Sequence, residues 1–167
     1  MSHSKDKKIS VIGLGYIGLP TAALLASQGY EVFGMDVSQY VVDTINQGKI
    51  HIVEPDLDAY VNSAVSQGML KAYTEVQPAD VYLLCVPTPF SSGGKIPTPN
   101  IDYVKEAVES IAPHIKVGDI VILESTSPVG TTDLIGDILI DQGVDVSGIH
   151  IAYCPERVLP GNVMYEL

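Results

Sequence analysis

A glycine-rich turn between an apolar strand and a helix constrains the fold of this chain more than any other feature. Gly13, Gly15 and Gly18 occupy the positions of a G-x-G-x-x-G motif directly after an apolar run, and Asp36 ends the next apolar run. In such a unit the glycines permit a tight turn, close approach of a pyrophosphate and close helix–strand packing. An acid about 20 residues further on completes the context. The pattern predicts a βαβ unit that binds a dinucleotide, although glycines that serve packing alone would give the same spacing.

The acid at position 36 indicates which dinucleotide is bound. A carboxylate there accepts hydrogen bonds from the adenosine ribose hydroxyls and would repel the 2′-phosphate of NADP by about 1–4 kcal/mol at contact distance. No arginine follows Asp36 closely in the sequence to reverse that preference. The expected cofactor is therefore NAD, and the alternative is that Asp36 only caps the next helix.

Apolar segments of strand length alternate with segments of helical period along the whole chain. Buried strands of this kind need a mostly parallel sheet that is covered on both faces. The pattern predicts an α/β fold, Rossmann-like and doubly wound, with six strands and helices on both faces. The predicted strands cover residues 9–13, 32–36, 70–74, 81–86, 120–124 and 149–154, and the predicted helices cover 16–28, 38–48, 55–68, 101–115 and 131–142.

Length and composition suit one compact domain. The chain has 167 residues, of which 46% are hydrophobic and 17% charged, and its net charge is −11. A chain of this size buries about 70% of its unfolded surface. We expect a disordered tail over residues 1–8 and one domain over 9–167. The strong negative charge argues against nucleic acid and membrane partners.

The N-terminal sequence has a second interpretation. Lysines precede an uncharged run over residues 9–26, which imitates a signal peptide or a membrane span. Three glycines and a proline inside the run weaken an inserted helix, so the strand–turn–helix interpretation is preferred.

The two cysteines indicate a reduced, cytoplasmic protein. Cys85 and Cys154 lie far apart, and neither has a histidine at the spacing of a zinc ligand. We therefore predict no metal site. Each cysteine lies in or at the end of an apolar run, which predicts packing in the core; nucleophilic catalysis by Cys154 is the alternative.

Polar residues follow the fourth and fifth predicted strands. Thr88 follows the fourth strand, and Glu124, Ser125 and Thr126 follow the fifth. Ligands of open α/β sheets bind at the carboxyl ends of the strands, so these side chains could contact the ribose or the nicotinamide. Turn and cap roles fit the same residues. The long polar segment over residues 87–100 leaves the same edge, and a loop of this length is usually functional.

Four motifs in order, "VIGLGYIGLP", "VPTPF", "ESTSPVGTT" and "AYCPERVLPG", resemble those of the UDP-glucose/GDP-mannose dehydrogenase family. The phrases "IHIVEPDL" and "CPERVLPG" are similar to its UDP-N-acetyl-D-mannosamine dehydrogenase branch. The resemblance implies oxidation of the C6 alcohol of a nucleotide sugar to a carboxylate, with two NAD in succession and a cysteine thioester on the way.

The resemblance also implies roles for particular residues around the cofactor. It places Tyr16 and Ile17 at the pyrophosphate and Asp36 at the adenosine ribose. Thr88 and Glu124 would lie on the nicotinamide side.

The resemblance assigns a second set of residues to catalysis and substrate binding. Thr126 would lie by the cofactor and the hydrolytic water, and Glu156 would handle that water or relay a proton. Glu156 would also line the sugar-nucleotide pocket with Val158 and with the chain's one arginine, Arg157, whose planar guanidinium suits a bidentate phosphate or carboxylate contact.

Family members are longer than this chain, with a central helix for dimerisation and a UDP-binding domain that carry the nucleophilic cysteine and a catalytic lysine. The resemblance therefore implies a truncated cofactor domain that is inactive alone, from a homodimeric or larger parent that acts in bacterial polysaccharide synthesis. Two alternatives stay open. One is a sibling acting on UDP-N-acetylglucosamine, UDP-glucose or GDP-mannose, and the other is a non-catalytic nucleotide-sensing module.

Overall fold

The strands form a single parallel sheet in the computed structural model, which describes residues 6–90, 98–159 and 161–166. The sheet order is β3-β2-β1-β4-β5-β6, and every neighbouring pair is parallel. The strand order reverses between β1 and β4, which is the switch point at which such sheets bind ligands. The strands are β1 (Lys8–Ile12), β2 (Glu31–Met35), β3 (Leu70–Tyr73), β4 (Val81–Leu84), β5 (Ile120–Leu123) and β6 (His150–Tyr153).

Helices connect most of the strands. They are α1 (Gly18–Ser27), α2 (Gln39–Asn46), α3 (Leu57–Ser66), α4 (Asp102–Ile111), α5 (Thr131–Asp141) and α6 (Val163–Glu166), with 3₁₀ turns at Ala112–His114 and Val146–Gly148. Pro20 lies in the first turn of α1, where a missing N–H costs no intrahelical bond. The Ser38 hydroxyl accepts the Val41 N–H at 3.5 Å and caps α2 as predicted.

Two apolar clusters cover the two faces of the sheet. Ile9 and Val11 of β1 belong to a cluster with residues of α1, α2 and α3. Ile12 of the same strand belongs to a second cluster with residues of α4 and α5. Successive strand residues point to opposite faces, so β1 is buried on both sides. The predicted doubly wound α/β fold is confirmed.

The chain between β2 and β4 departs from a regular βαβ pattern. The third strand is present at the sheet edge, and residues 74–80 join it to β4 without a helix. The segment before α3 is also irregular: Asp56 has φ 64°, so the helix begins at Leu57, after the predicted start. Residues 91–97 of the long polar loop and residues 1–5 of the predicted tail lie outside the described residues.

The apolar run that imitates a membrane span is divided between several elements. Its residues form β1, the glycine turn and most of α1. Within the described residues, no helix has the length and apolar character needed to cross a membrane.

Candidate functional site: a cleft at the switch point of the sheet

A cleft of about 770 Å³ opens at the carboxyl ends of the central strands. Its floor and walls come from the glycine turn after β1, the end of β2, the start of the loop after β4, one face of α4 and the segments after β5 and β6. The predicted site residues that line it are Gly13, Gly15, Tyr16, Ile17, Asp36, Thr88, Thr126 and Glu156. Its volume lies within the range of small-molecule and cofactor sites, roughly 300–1,000 Å³.

The three glycines of the turn differ in the space that a side chain would have at each position. Gly13 has φ +90°, and a Cβ there would lie 2.7 Å from the Cys85 carbonyl oxygen. A Cβ on Gly18 would lie 1.8 Å from the Gly13 carbonyl oxygen. A Cβ on Gly15 would meet no atom of the described residues within 4 Å. Packing therefore requires Gly13 and Gly18, whereas Gly15 leaves open space on the cleft side.

The start of α1 supplies hydrogen-bond donors to that open space. The Leu19 N–H donates to the Gly15 carbonyl oxygen at 3.1 Å, and the N–H groups before it lie at the helix N-terminus, which has no intrahelical acceptors to offer them. Such groups and the helix dipole favour an anion by roughly 0.3–2 kcal/mol. The open face at Gly15 and these donors fit the pyrophosphate of a dinucleotide.

Asp36 holds the end of β2 against the glycine turn. One carboxylate oxygen accepts the Leu14 N–H at 3.1 Å and the other accepts the Ser38 N–H at 2.9 Å. The residue is partly exposed and lines the cleft, and each carboxylate oxygen has a second lone pair for a ligand hydroxyl. Asp36 can therefore order the turn and accept a ribose hydroxyl at the same time.

His51, which sequence reasoning left without a role, lies beside this end of the cleft. Its Nδ1 atom is buried without a hydrogen-bond partner among the described residues. Burial lowers the pKa of His51, and the charge of Asp36 and a backbone hydrogen bond to Leu14 oppose that shift. The burial of this imidazole therefore favours its neutral form, close to the Asp36 carboxylate.

The opposite wall is built from the loops after β4 and β5. The Thr88 hydroxyl donates to the Thr126 carbonyl oxygen at 2.5 Å. The Ser125 hydroxyl donates to the Val86 carbonyl oxygen, also at 2.5 Å. These bonds join the two loops, so Thr88 and Thr126 are held together on the cleft surface.

Glu124 lies behind this wall, and it does not line the cleft. Only 5% of the residue is exposed. Its carboxylate accepts the Cys85 thiol at 2.9 Å and the Thr21 hydroxyl at 3.3 Å. Burial raises the pKa of Glu124, which the Cys85 and Thr21 hydrogen bonds oppose. The role of Glu124 at the nicotinamide stays a prediction, and in this structure its contacts are to protein groups.

Cys85 is part of the floor of the cleft. Burial first, and then the charge of Glu124, raise its pKa well above the usual value of a thiol. A protonated thiol is a poor nucleophile. The buried, unreactive role predicted for Cys85 agrees with this environment.

The prediction that Cys154 packs in the core is wrong. Cys154 is exposed, because β6 is the edge strand of the sheet and has a neighbour on one side only. A terminal apolar run looks the same in sequence whether its strand is central or at the edge.

The residues after β6 divide between the cleft and solvent. Glu156 is partly buried and lines the cleft, whereas Arg157 is exposed and neither Arg157 nor Val158 is part of the lining. The Val158 N–H donates to the Glu156 carboxylate. The substrate roles predicted for Arg157 and Val158 stay predictions. Over the described ranges, no group of three or more His, Cys, Asp or Glu could hold a metal ion.

Comparison with known proteins gives a family for this arrangement. The model of the UDP-glucose/GDP-mannose dehydrogenase family, NAD binding domain, matches residues 7–167. The chain is 55% identical over 170 residues to an NDP-N-acetyl-D-galactosaminuronic acid dehydrogenase of Ralstonia nicotianae, a match that covers 96% of this chain and 40% of that protein. It is 54% identical over 168 residues to a UDP-N-acetyl-D-mannosamine dehydrogenase of Yersinia pestis, covering 95% of this chain and 39% of that protein.

A solved structure shows the same fold. The UDP-N-acetyl-mannosamine dehydrogenase from Staphylococcus aureus superposes with a TM-score of 0.88 at 37% identity, over 95% of this chain and 39% of that one. The chain therefore spans about 40% of the length of the curated relatives that it matches.

Proposed function

Because the chain belongs to the UDP-glucose/GDP-mannose dehydrogenase family, we propose that it is the cofactor domain of a nucleotide-sugar 6-dehydrogenase. The parent reaction would be the oxidation of UDP-N-acetyl-D-mannosamine to UDP-N-acetyl-D-mannosaminuronate with two NAD. The cofactor prediction is confirmed, since the family model describes an NAD binding domain. When bound, NAD accepts a hydride from the alcohol carbon.

The observation that carries this proposal is the open face of Gly15 between two glycines that packing requires. A Cβ is excluded at Gly13 and Gly18 by protein atoms, yet no atom in the part of the chain that the structure describes occupies the space at Gly15. That space lies in the cleft beside Asp36. Tyr16 and Ile17 would lie at the pyrophosphate, and Asp36 would accept hydrogen bonds from the adenosine ribose hydroxyls.

On the nicotinamide side, Thr88 and Thr126 would position the ring and a water molecule. Glu156 would hold or move a proton at the mouth of the cleft, where its carboxylate is partly exposed. Glu124 would act from behind the wall by holding the Cys85 thiol and the Thr21 hydroxyl in place. Arg157 and Val158 would complete the sugar-nucleotide pocket.

A second candidate substrate follows from one comparison. The Ralstonia nicotianae relative, at 55% identity, is named an NDP-N-acetyl-D-galactosaminuronic acid dehydrogenase. A nucleotide sugar of the galacto configuration is therefore the competing substrate. We further propose a homodimeric or larger parent in the bacterial cytoplasm, in polysaccharide synthesis, and no turnover by this chain alone.

The cofactor assignment is tested with Asp36→Asn, which keeps the side-chain size and removes the charge. NADH binding is followed by nicotinamide fluorescence, because the chain has no tryptophan to report it. We expect about a tenfold loss of NADH affinity, the order of one hydrogen bond to a charged group, and a smaller preference over NADPH. Asp43→Asn, on the exposed face of α2, is the matched control and should leave both affinities unchanged. Equal affinity of the unaltered chain for NADH and NADPH would contradict the role of Asp36.

The substrate is tested separately. The parent protein is assayed for NADH formation with a panel that contains UDP-N-acetylmannosamine, UDP-N-acetylgalactosamine, UDP-N-acetylglucosamine, UDP-glucose and GDP-mannose. We expect turnover of the first sugar by the parent and of none by this chain. Sustained turnover by this chain would restore Cys154 as a candidate nucleophile.

A further inference from the structure

A buried carboxylate from the first third of the chain binds the backbone of its last described residues. Glu54 is 4% exposed. One of its carboxylate oxygens accepts the Gly161 N–H at 2.7 Å and the other accepts the Val163 N–H at 2.8 Å. Hydrogen bonds to a charged acceptor are about twice as strong as neutral ones. Both oxygens of Glu54 are therefore committed to one short stretch of backbone.

A second contact lies beside the first. The Tyr165 hydroxyl donates to an Asp56 carboxylate oxygen at 2.7 Å. Asp56 is also the one non-glycine residue with a positive φ in the part of the chain that the structure describes, a conformation that persists when its surroundings fix it. We call the contacts of Glu54 and Asp56 with residues 161, 163 and 165 the latch.

The latch lies at the end of a segment that passes over the cleft. Residues 154–159, here called the strap, leave β6 at one edge of the sheet, and α6 packs against α1 on the other half. The strap must therefore cross the carboxyl ends of the strands between them. Glu156, in its middle, lines the cleft together with Gly13 and Thr88. One end of the strap continues from β6, and at its other end the Leu159 N–H donates to the Glu166 carboxylate of α6 at 3.1 Å, beside the latch.

We propose that Glu54 is a positioning residue that holds Glu156 in the wall of the cofactor cleft. This inference rests on the proposed function of the cleft. Glu54 does not line the cleft, so it would act only through the strap. Without the latch, the far end of the strap would be held, within the described residues, only by the packing of α6 against α1 and by the Leu159–Glu166 hydrogen bond, and molecules with Glu156 away from the cleft would bind cofactor less well. The apparent dissociation constant rises as the fraction of competent molecules falls.

The loop between α2 and α3, which carries Glu54, also lies near the Asp36 end of the cleft. This loop spans residues 47–56 and carries both His51 and Glu54, and the charge of Asp36 acts on the His51 imidazole. The loop thus lies near Asp36 at His51 and binds the backbone that follows the strap at Glu54.

The test uses Glu54→Gln, which retains one neutral acceptor oxygen and replaces the other with an NH₂ group that cannot accept a backbone N–H. Amide hydrogen exchange of Gly161 and Val163 is measured without ligand, and NADH affinity is measured by nicotinamide fluorescence. We expect at least a tenfold loss of exchange protection, about the value of one hydrogen bond to a charged group. The NADH dissociation constant should rise at least about threefold, which corresponds to a fall of the latched fraction to about one third of the molecules.

The matched control is Asp119→Asn. Asp119 is also a buried carboxylate that accepts a backbone N–H, from Lys116 at 2.9 Å, but it lies at the amino end of β5, away from the cleft. This variant should lose stability without a change in strap exchange or NADH affinity. Tyr165→Phe removes the other latch contact at an exposed position, so it folds even if Glu54→Gln does not, and smaller changes in the same direction are expected.

Each result decides the proposal. Unchanged exchange of Gly161 and Val163 in Glu54→Gln, or in Tyr165→Phe if only that variant folds, would refute the latch. Lost protection with unchanged NADH affinity would reduce Glu54 to a structural role and refute positioning. Failure of the unaltered chain to bind NADH would instead contradict the cofactor function, while the exchange data would still report on the latch.

Discussion

Replacing Gly15 with alanine separates cofactor binding from packing in the glycine turn. The new Cβ would meet no atom within 4 Å in residues 6–90, 98–159 and 161–166, and Gly15 is not among the residues with positive φ. Gly→Ala at such a site changes stability by about +0.4–1 kcal/mol, because the unfolded chain loses freedom. The same methyl would occupy the space that a pyrophosphate needs. Loss of one hydrogen bond to a charged group, about 1.5–3 kcal/mol, corresponds to roughly a 10- to 100-fold weaker NADH affinity.

Gly18→Ala should have the opposite pattern. Its Cβ would lie 1.8 Å from the Gly13 carbonyl oxygen, so α1 must move away from the turn. Overpacking of this kind costs about 1–3 kcal/mol or more, and each kcal/mol lowers Tm by about 2–4 °C in a chain of this size. We therefore expect Tm to fall by at least about 2 °C in Gly18→Ala and to stay level or rise in Gly15→Ala.

The assay is thermal unfolding and an NADH fluorescence titration of both variants. Gly136→Ala, in α5, is the control: its Cβ would lie 3.6 Å from Ile151 Cδ1, an ordinary contact, so Tm should rise and NADH affinity should not change. If Gly15→Ala bound NADH as tightly as the unaltered chain, the open space at Gly15 would not be the pyrophosphate site and the reasoning from the cleft would be refuted.

Three further changes test the structure away from the turn. Tyr82→Phe should lower the free energy of unfolding by about 1–3 kcal/mol, measured by urea denaturation, because the buried hydroxyl accepts the Ala79 N–H at 2.9 Å; a neutral result would contradict that bond. Asn46→Ala should cost about 1–3 kcal/mol in the same assay, since the side-chain amide pairs with both backbone groups of Ala72 at 2.9 Å. Glu124→Gln should flatten the pH dependence of stability. Burial raises the folded-state pKa of Glu124 above its ordinary value of 4.5. The unaltered protein therefore loses stability as pH rises from 4.5 through the raised pKa. If the stability curves of the variant and the unaltered protein stayed parallel across that window, the raised pKa of Glu124 would be contradicted.

The sequence alone was sufficient for the fold because the signals for its elements are local. Strand-length apolar runs and helical periods depend on neighbouring residues, and the glycine turn with Asp36 depends on one βαβ unit. Even the third strand, which has only a short link to the fourth, was predicted correctly. Element ends were less accurate: α3 begins after the left-handed Asp56, a backbone conformation that a sequence pattern does not specify.

The candidate site was predictable as far as it follows from strand ends. Residues after β1, β2, β4 and β5 were expected at one edge, because parallel strands end at the same side of the sheet, and Gly15, Asp36, Thr88 and Thr126 do meet in the cleft. The prediction did not distinguish a residue on the cleft surface from one behind it. Glu124 differs from Thr126 in this respect only through the packing of Cys85 and α1 around it.

Sequence by itself therefore determined the layered α/β architecture, the glycine turn and the preference for NAD, because each depends on residue type and short-range spacing. Tertiary structure alone decided which residues are partners over long separations. Thr21 and Glu124 are 103 positions apart, and Glu54 and Val163 are 109 apart. Nothing in the chemistry of a single acid, hydroxyl or backbone amide selects such a partner. The order of the strands and the path of the chain over them bring these groups within hydrogen-bond distance, and the same strand order leaves Cys154 exposed at the edge.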